Sequence, residues 1–370
     1  MRSKINLGVI FGGRSGEHEV SLMSARSVLS VLDSEKYETT QIGIDHDGIW
    51  WSGEKVLEKL ESNNKTGLYR VFILPEPGKT RVYKRYTKSK KEMIEPVSEL
   101  DVIFPVLHGT FGEDGTLQGL LEMADIAYVG AGVLGSSVGM DKGVFKDVMR
   151  SHSIPVVEWI TVTRKDLEKD MDAVIKKCES LSSYPLFIKP ANLGSSVGVS
   201  KAKNRSNLLE GIMYAAQYDR RILIERGLDA REIEVSVIGN EDCRASNPGE
   251  IVPSDEFYSY KAKYLDGKSE LYIPANIPPQ IREQIREISV KAYRAIDCAG
   301  LARVDFLLER ETEKIYLNEV NTIPGFTSIS MYPKLWEADG IVYKELVDQL
   351  IDLAFERKNE RSKSKKTFGD

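Results

Sequence analysis

The chain has 370 residues, enough for two or three compact units at roughly 150 residues each. Its net charge of −5 offers no electrostatic footing for nucleic acid, whose readers carry a basic excess. Hydrophobic residues at 41% and charged residues at 29% are ordinary for a globular protein, and Cys178, Cys243 and Cys298 are too scattered for a disulfide framework or a zinc site. A cytoplasmic, soluble protein is expected. Residues 1–13 lack the features of a cleavable signal, and 127–140 is too short and glycine-rich to span a bilayer, so no membrane partner is expected either.

The start predicts strand, tight turn and helix: an apolar run over 5–11, Gly12-Gly13-Arg14-Ser15-Gly16, then apolar residues near helical spacing at Val20, Met23, Val28 and Leu32. A buried strand feeding a helix opens a β-α-β unit. Residues 40–100 read as a meander of short strands, with the basic 79–91 stretch a solvated hairpin or loop. A strand over 101–107 ends at His108-Gly109, and 115–123 reads as helix. Beyond Gly130 come a helix over 142–152, a strand over 154–163 and an amphipathic helix over 167–180. Strands at 186–189 and 197–200 are joined by a glycine- and serine-rich loop, and another strand covers 221–225. The last unit has strands at 232–238, 301–308 and 314–320 and a helix over 279–296. The lysine-rich end from 357 is expected to fray. Leu-Gly-Ser-Ser-Val-Gly occurs at 134–139 and again at 193–198, but the flanks do not match, so no internal repeat is inferred.

Four constellations carry chemistry. Arg303-Val304-Asp305 and Glu319-Val320-Asn321 each place two polar groups on one face of an apolar strand, because side chains alternate with period two. A short turn between them predicts a hairpin with Asp305 opposite Glu319 and Arg303 opposite Asn321. Facing carboxylates repel unless a cation lies between them or one is protonated. The alternatives are a Mg²⁺ site that also takes substrate phosphate oxygens and a polar edge with ordinary ion pairs. In the second constellation Lys189 ends a strand before Gly194-Ser195-Ser196-Val197-Gly198, a loop able to offer amides and hydroxyls to an anion or to serve as a plain turn. It is not a Walker A loop, and no G-x-G-x-x-G follows the first strand. The third is an apolar strand ending at Glu225, with Glu232 in the next strand; alone it reads as a charged strand end. The fourth is His108, just past the C-terminal end of a strand, where open α/β sheets bind ligands, although a lone histidine there is more often structural.

Together these segments resemble the D-alanine–D-alanine ligases, a branch of the ATP-grasp superfamily. The matching stretches are Phe11-Gly12-Gly13-Arg14-Ser15-Gly16-Glu17-His18-Glu19-Val20-Ser21, Leu107-His108-Gly109 with Gly112-Glu113-Asp114-Gly115, Met140-Asp141-Lys142, the 189–198 loop and Phe257-Tyr258-Ser259-Tyr260-Lys261-Ala262-Lys263-Tyr264. Ala302-Arg303-Val304-Asp305 and the 318–328 run complete a set that keeps family order from Phe11 to about Pro333.

The resemblance implies an α/β fold with α+β lobes: an N-terminal open α/β domain (1–130) followed by a two-lobed ATP-grasp fold, with a central lobe (131–229), a C-terminal lobe holding the metal site (230–356) and a flexible basic tail (357–370). It implies ATP-dependent joining of two D-alanine molecules through a D-alanyl phosphate. In that scheme Asp305, Glu319 and Asn321 hold a pair of Mg²⁺ ions, with Mn²⁺ able to substitute. Lys142, Lys189 and Lys263 contact phosphates, Ser196 belongs to the ATP-binding loop that closes over them, Glu225 and Leu228 match the adenine-binding segment, and Glu232 the ribose contact. Glu17 binds the first D-alanine's ammonium in a set with Ser195 and Tyr264, and His108 lies beside that substrate. Arg303 and the Gly325 N–H stabilise the oxyanion, while Ser330 and the Met331 backbone bind the second carboxylate. Tyr264 favours D-alanine as acceptor; a D-alanyl-D-lactate or D-alanyl-D-serine ligase of the same fold is the alternative. A cytoplasmic homodimer is the implied state.

Overall fold

The computed structural model describes residues 4–78, 80–252, 270–327 and 329–365. Lys263 and Tyr264 lie outside the described residues.

The first unit runs β1 (Ile5–Gly12), α1 (His18–Val31), β2 (Tyr37–Ile44), β3 (Trp50–Ser52), α2 (Val56–Glu61), β4 (Tyr69–Ile73), β5 (Arg81–Lys88), β6 (Lys91–Glu99), β7 (Val102–Val106), α3 (Thr116–Met123) and β8 (Ala127–Tyr128). These strands form one sheet in the order β6-β5-β4-β3-β2-β1-β7-β8. β1 pairs in parallel with β2 and β7 along its two edges, while Leu7, Val9 and Phe11 enter one core and Ile10 another; with both faces covered, its sequence from Leu7 carries no polar alternation. At its end Gly12 has φ +88°, and a Cβ there would meet the Ile44 carbonyl oxygen at 2.1 Å, so only glycine fits. The other half of the sheet runs out into solvent. Its last hairpin, β5–β6, turns at Ser89 and Lys90, both with positive φ, and accounts for the basic 79–91 stretch.

The second unit contains α4 (Val133–Met140), α5 (Lys142–Ser151), β9 (Trp159–Thr163), α6 (Arg164–Lys169), α7 (Met171–Glu179), β10 (Leu186–Pro190), β11 (Ser200–Ala202), α8 (Arg205–Tyr218) and β12 (Arg221–Arg226). Its sheet has the order β11-β10-β12-β9 and is antiparallel throughout. Leu186, Ile188, Ile222 and Ile224 form one face, packed against Leu167, Val174, Ile175, Leu208 and Ile212 of the helices. The other face is left for the cleft.

The third unit adds β13 (Ala230–Gly239), β14 (Arg244–Ala245), β15 (Gly249–Val252), β16 (Glu270–Tyr272), α9 (Pro279–Ala295), β17 (Gly300–Glu309), β18 (Ile315–Asn321), α10 (Met331–Ala338) and α11 (Tyr343–Ser362). The main path of its sheet is β16-β15-β13-β17-β18. Ile233, Val235, Ala302, Val304 and Phe306 pack with Ile285, Ala292 and Tyr293 of α9 and with Phe145 and Met149 of α5. Again one face is core and the opposite face is polar.

Several elements differ from expectation. The short α2 is absent from the sequence reading, because six residues give too little periodicity to register. The helix expected over 167–180 is broken at Asp170, whose side chain accepts from the Ala173 N–H at 2.9 Å and starts α7 anew. The strand expected from 154 starts at Trp159, and the one expected at 197 starts at Ser200, because Ser195, Ser196 and Gly198 adopt left-handed φ of 49°, 58° and 74°. The two Leu-Gly-Ser-Ser-Val-Gly copies thus differ completely: the first is helical within α4, the second is this turn.

The end of the chain corrects another expectation. It does not fray at 357; α11 continues to Ser362. Arg357 lies 4.2 Å from the Tyr128 ring centroid and pairs with Glu122 at 3.4 Å. Arg361 also pairs with Glu122, and Lys358 donates to the Asp125 carbonyl. Leu346, Val347, Leu350 and Ile351 enter the same core as Leu7, Val9, Val102 and Phe104, so the last described helix closes over the first sheet.

Candidate active site

In the second unit's sheet, Glu225 is registered opposite both Phe187 and Trp159. Lys189, two residues beyond Phe187, therefore projects from the same face as Glu225. Its Nζ lies 2.5 Å from Glu225 Oε2. A second ammonium, Lys146 on α5, lies 2.9 Å from Glu225 Oε1. Burial alone would raise the Glu225 pKa, but Lys146 and Lys189 outweigh it and hold the carboxyl down to about 2. α5 is started by Asp141, whose side chain accepts from the Gly143 and Val144 N–H groups. That cap sets Lys142 at the helix start, and Lys146 follows one turn later on the same side. Lys142 Nζ donates to the Leu193 carbonyl at 2.6 Å and ties the helix to the glycine loop.

Across the cleft, the register is the one the spacing predicts: Asp305 pairs with Glu319 and Arg303 with Asn321. Immediately beyond Asp305 the pairing shifts, so Phe306 faces Leu317; this bulge ends the polar face and returns the apolar residues to the core. Arg303 forks onto Asp305 at 2.8 and 2.7 Å and lies 3.0 Å from Glu234. Burial opposes its charge, yet Asp305 and Glu234 keep it firmly protonated. Asn321 Nδ2 donates to Asp305 at 2.9 Å and reaches Glu319 at 3.5 Å. Two facing carboxylates with an amide beside them form an all-oxygen donor set suited to a hard divalent cation, once the Asn321 amide turns its oxygen inward.

The third wall comes from the first unit. Glu17 precedes α1 and is buried. Ser195 donates its hydroxyl hydrogen to Glu17 Oε1. The approach is close enough that a Cβ on Gly109 or Gly194 would meet Glu17 Oε2 at 2.5 or 2.8 Å. Glu113 accepts from the Gly109 N–H at 2.6 Å and the Ile323 N–H at 3.2 Å, tying the loop after β7 to the loop after β18. Loss of solvent and the nearby Glu17 carboxylate push Glu113 up to about 8.

His108 is buried, and both ring nitrogens are committed to the protein. Nδ1 lies 3.0 Å from the Ile323 carbonyl, which can only accept, and Nε2 lies 3.0 Å from Ser24 Oγ. The Phe326 N–H donates to the same Ser24 oxygen at 3.2 Å. Burial lowers the His108 pKa, consistent with a neutral ring in this relay. The ring and Ser24 therefore hold the 323–326 loop against α1. That loop brings Gly325 near Ser330, whose Oγ would lie 3.1 Å from a Cβ at Gly325; Ser330 Oγ also accepts from the Thr327 N–H at 3.1 Å.

Glu17, His108, Glu113, Lys142, Lys189, Ser195, Glu225 and the Arg303/Asp305/Glu319/Asn321 face line one cavity of about 960 Å³, together with Met140, Ser196, Leu228, Glu232 and Met331; Lys146 lies behind its wall. Two antiparallel sheets facing each other across a cleft, with an α/β domain closing its end, form the ATP-grasp architecture. Models of the D-ala D-ala ligase N-terminus and C-terminus match residues 6–131 and 148–352. The chain belongs to the D-alanine–D-alanine ligase family. It is 49% identical to the D-alanine–D-alanine ligase of Natranaerobius thermophilus, with 99% of each chain covered. Among solved structures, the D-alanine–D-alanine ligase from Coxiella burnetii matches with a TM-score of 0.82 and 35% identity, covering 97% of this chain and 96% of that one. The VanG D-Ala:D-Ser ligase from Enterococcus faecalis matches with a TM-score of 0.84 and 34% identity, covering 95% of this chain and 100% of that one.

Of the site residues that family resemblance implied, all but Lys263 and Tyr264 lie among the described residues and line this cavity. Sequence reading assigns no role to Lys146, Glu234 and Ser24, and names Glu113 only within a matching stretch. Two carried a signal: Lys146 stands four residues after Lys142 on one helix, and Glu234 two residues after Glu232 on one strand. Among the described residues, no helix is long and apolar enough to cross a membrane.

Proposed function

We propose that the cleft joins two D-alanine molecules into D-alanyl-D-alanine at the expense of ATP, supplying peptidoglycan precursor synthesis. The observation that carries this reading is the convergence of Glu17–Ser195, the Lys189–Glu225 face and the Arg303/Asp305/Glu319/Asn321 face on one cavity. An amino-acid site, a nucleotide site and an oxygen-rich metal site in one enclosure are what the reaction requires.

The first D-alanine's ammonium is held by Glu17, with Ser195 and Tyr264 completing the set. Its carboxylate oxygen attacks the γ-phosphorus, the bond to the bridging oxygen breaks, and ADP leaves. This step brings a carboxylate up to a polyanion, so neutralising charge is the main demand. Lys142, Lys189 and Lys263 contact the phosphates, with Ser196 in the ATP-binding loop that closes over them; Glu225 and Leu228 hold the adenine and Glu232 the ribose. Asp305, Glu319 and Asn321 would hold a pair of Mg²⁺ or Mn²⁺ ions, whose charge offsets that of the β- and γ-phosphates when they are bound. The 194–198 loop excludes water, which would otherwise hydrolyse the acyl phosphate. The second D-alanine, its carboxylate on Ser330 and the Met331 N–H, attacks the acyl carbon through its amine. Arg303 and the Gly325 N–H stabilise the tetrahedral oxyanion; phosphate then leaves and the amine's proton is lost. A cytoplasmic homodimer completes the reading carried over from the family.

The test is ADP release dependent on D-alanine, with the product identified by mass and with D-serine and D-lactate compared as acceptors at neutral pH. D-alanyl-D-alanine as the principal product is expected. Absence of D-alanine-dependent ADP release, or faster turnover with D-lactate or D-serine than with D-alanine, overturns the assignment.

A further inference from the structure

Lys146 has no part in the scheme above, yet the cleft wall is built around it. Its side chain is 1% exposed. Nζ lies 2.9 Å from Glu225 Oε1, donates to the Val157 carbonyl at 3.3 Å and sits 5.6 Å from the Trp159 ring centroid. Lys189 holds the other Glu225 oxygen at 2.5 Å. One carboxylate thus has two ammonium partners where one would balance its charge. The two lysines are not equivalent. Lys146 is sealed beneath the sheet face, whereas the Lys189 side chain is 16% exposed and also feels Glu232 and Glu319 further along the cleft.

We propose that Lys146 is a positioning residue for nucleobase choice: its ammonium fixes the Glu225 carboxylate as acceptor for a purine 6-amino group and leaves Lys189 free to meet the triphosphate. The proposal rests on the reading of Glu225 as the adenine contact. When Lys189 turns to the phosphates, Glu225 and Lys146 remain as a balanced buried pair, and the carboxylate keeps both its charge and its direction. A 6-amino group donates to it; a 6-oxo group would set one acceptor against another, an unpaired arrangement that a desolvated site penalises. Without Lys146, Lys189 is the sole partner left for Glu225. It is then held back from the phosphates, and Glu225 loses the contact that aims it.

The test compares ATP with inosine triphosphate, which differs from ATP at the 6 position, in wild type, K146M, K146R, E225Q and K189M. K146M is expected to lower the ATP preference in kcat/KM by about tenfold or more, mainly through a higher KM for ATP with kcat little changed, and K146R to restore part of it. E225Q is expected to lose the preference too. K189M leaves the Glu225–Lys146 pair intact, so it is expected to raise KM for both nucleotides alike and keep their ratio. If K146M keeps the wild-type ratio while E225Q loses it, Lys146 only fills space and the proposal fails, with the reading of Glu225 intact. If E225Q keeps the ratio, that reading fails and takes the proposal with it. Should K146M not fold, K189M still decides, because a collapse of the preference there would place base choice on Lys189.

Discussion

Ser195 donates a hydrogen bond to Glu17 across 178 residues of sequence. One partner precedes the first helix; the other sits in a turn of the second unit with left-handed backbone. The bond therefore reports whether the glycine loop has closed on the first domain. Removing it with S195A is expected to lower kcat/KM for D-alanine by about 10- to 100-fold, the worth of one charge-assisted hydrogen bond. Initial rates of ADP release against D-alanine concentration check this, and an unchanged D-alanine dependence would sever the loop from substrate binding.

Glu319 faces Asp305 across the β17–β18 ladder. E319A removes one of the two carboxylates proposed to hold the cations. D-alanine-dependent phosphate release in the presence of Mg²⁺ is expected to drop by at least about 100-fold, without rescue by excess Mg²⁺. Near-normal activity would refute the metal assignment.

Glu225 offers a pH test with a definite sign. Its native pKa is held at about 2, below the ordinary carboxylate range. Its ion pairs therefore contribute stability that is fully present above that range and is lost as pH falls toward 2. E225Q leaves Lys146 buried beside a neutral amide and is expected to cost about 3–5 kcal/mol at neutral pH. Much of that deficit should vanish near pH 2–3, where the wild type also surrenders the pairs. Urea titrations at pH 7 and pH 3 measure the difference, and a deficit equally large at both would contradict the account.

His108 joins α1 to the loop after β18 through Ser24 and the Ile323 carbonyl. Burial keeps its pKa below the usual histidine value, so its contribution to stability is present above that usual value and is lost as acid charges the ring. H108A is expected to leave the KM for ATP nearly unchanged and to raise the KM for the second D-alanine, whose proposed site includes Gly325 and Ser330. Separate titrations of ATP and D-alanine distinguish this from general unfolding.

Much of this architecture was legible because alternation in a strand is a strong constraint. Arg303, Asp305, Glu319 and Asn321 share a face only in registers that keep their alternation in step, and a turn centred near Thr312 selects the one observed. The β1–turn–α1 entry was equally plain, since Gly12 and Gly13 follow an unbroken apolar run. Legibility failed where a single side chain or backbone angle overrides a pattern. Asp170 splits a helix whose periodicity continues through it, and the left-handed Ser195 and Ser196 delay a strand. The third wall was illegible by spacing alone: nothing local to Glu17 announces that Gly109 and Gly194 will pack against its carboxylate. Only the family resemblance joined those segments.

The return of α11 onto the first sheet bears on how the protein is made. Leu346, Val347, Leu350 and Ile351 each bury their side chains in that core, worth about 1.5–3 kcal/mol apiece against a net stability of only about 5–15 kcal/mol for a whole domain. During synthesis the strands of residues 5–128 leave the ribosome before residues 343–362, yet one wall of their core is that later helix. The domain formed by those early strands is thus completed late, and loss of this helix would open its core and at the same time release the Asn240 contacts to Leu353 and Glu356 that tie the helix to the third unit.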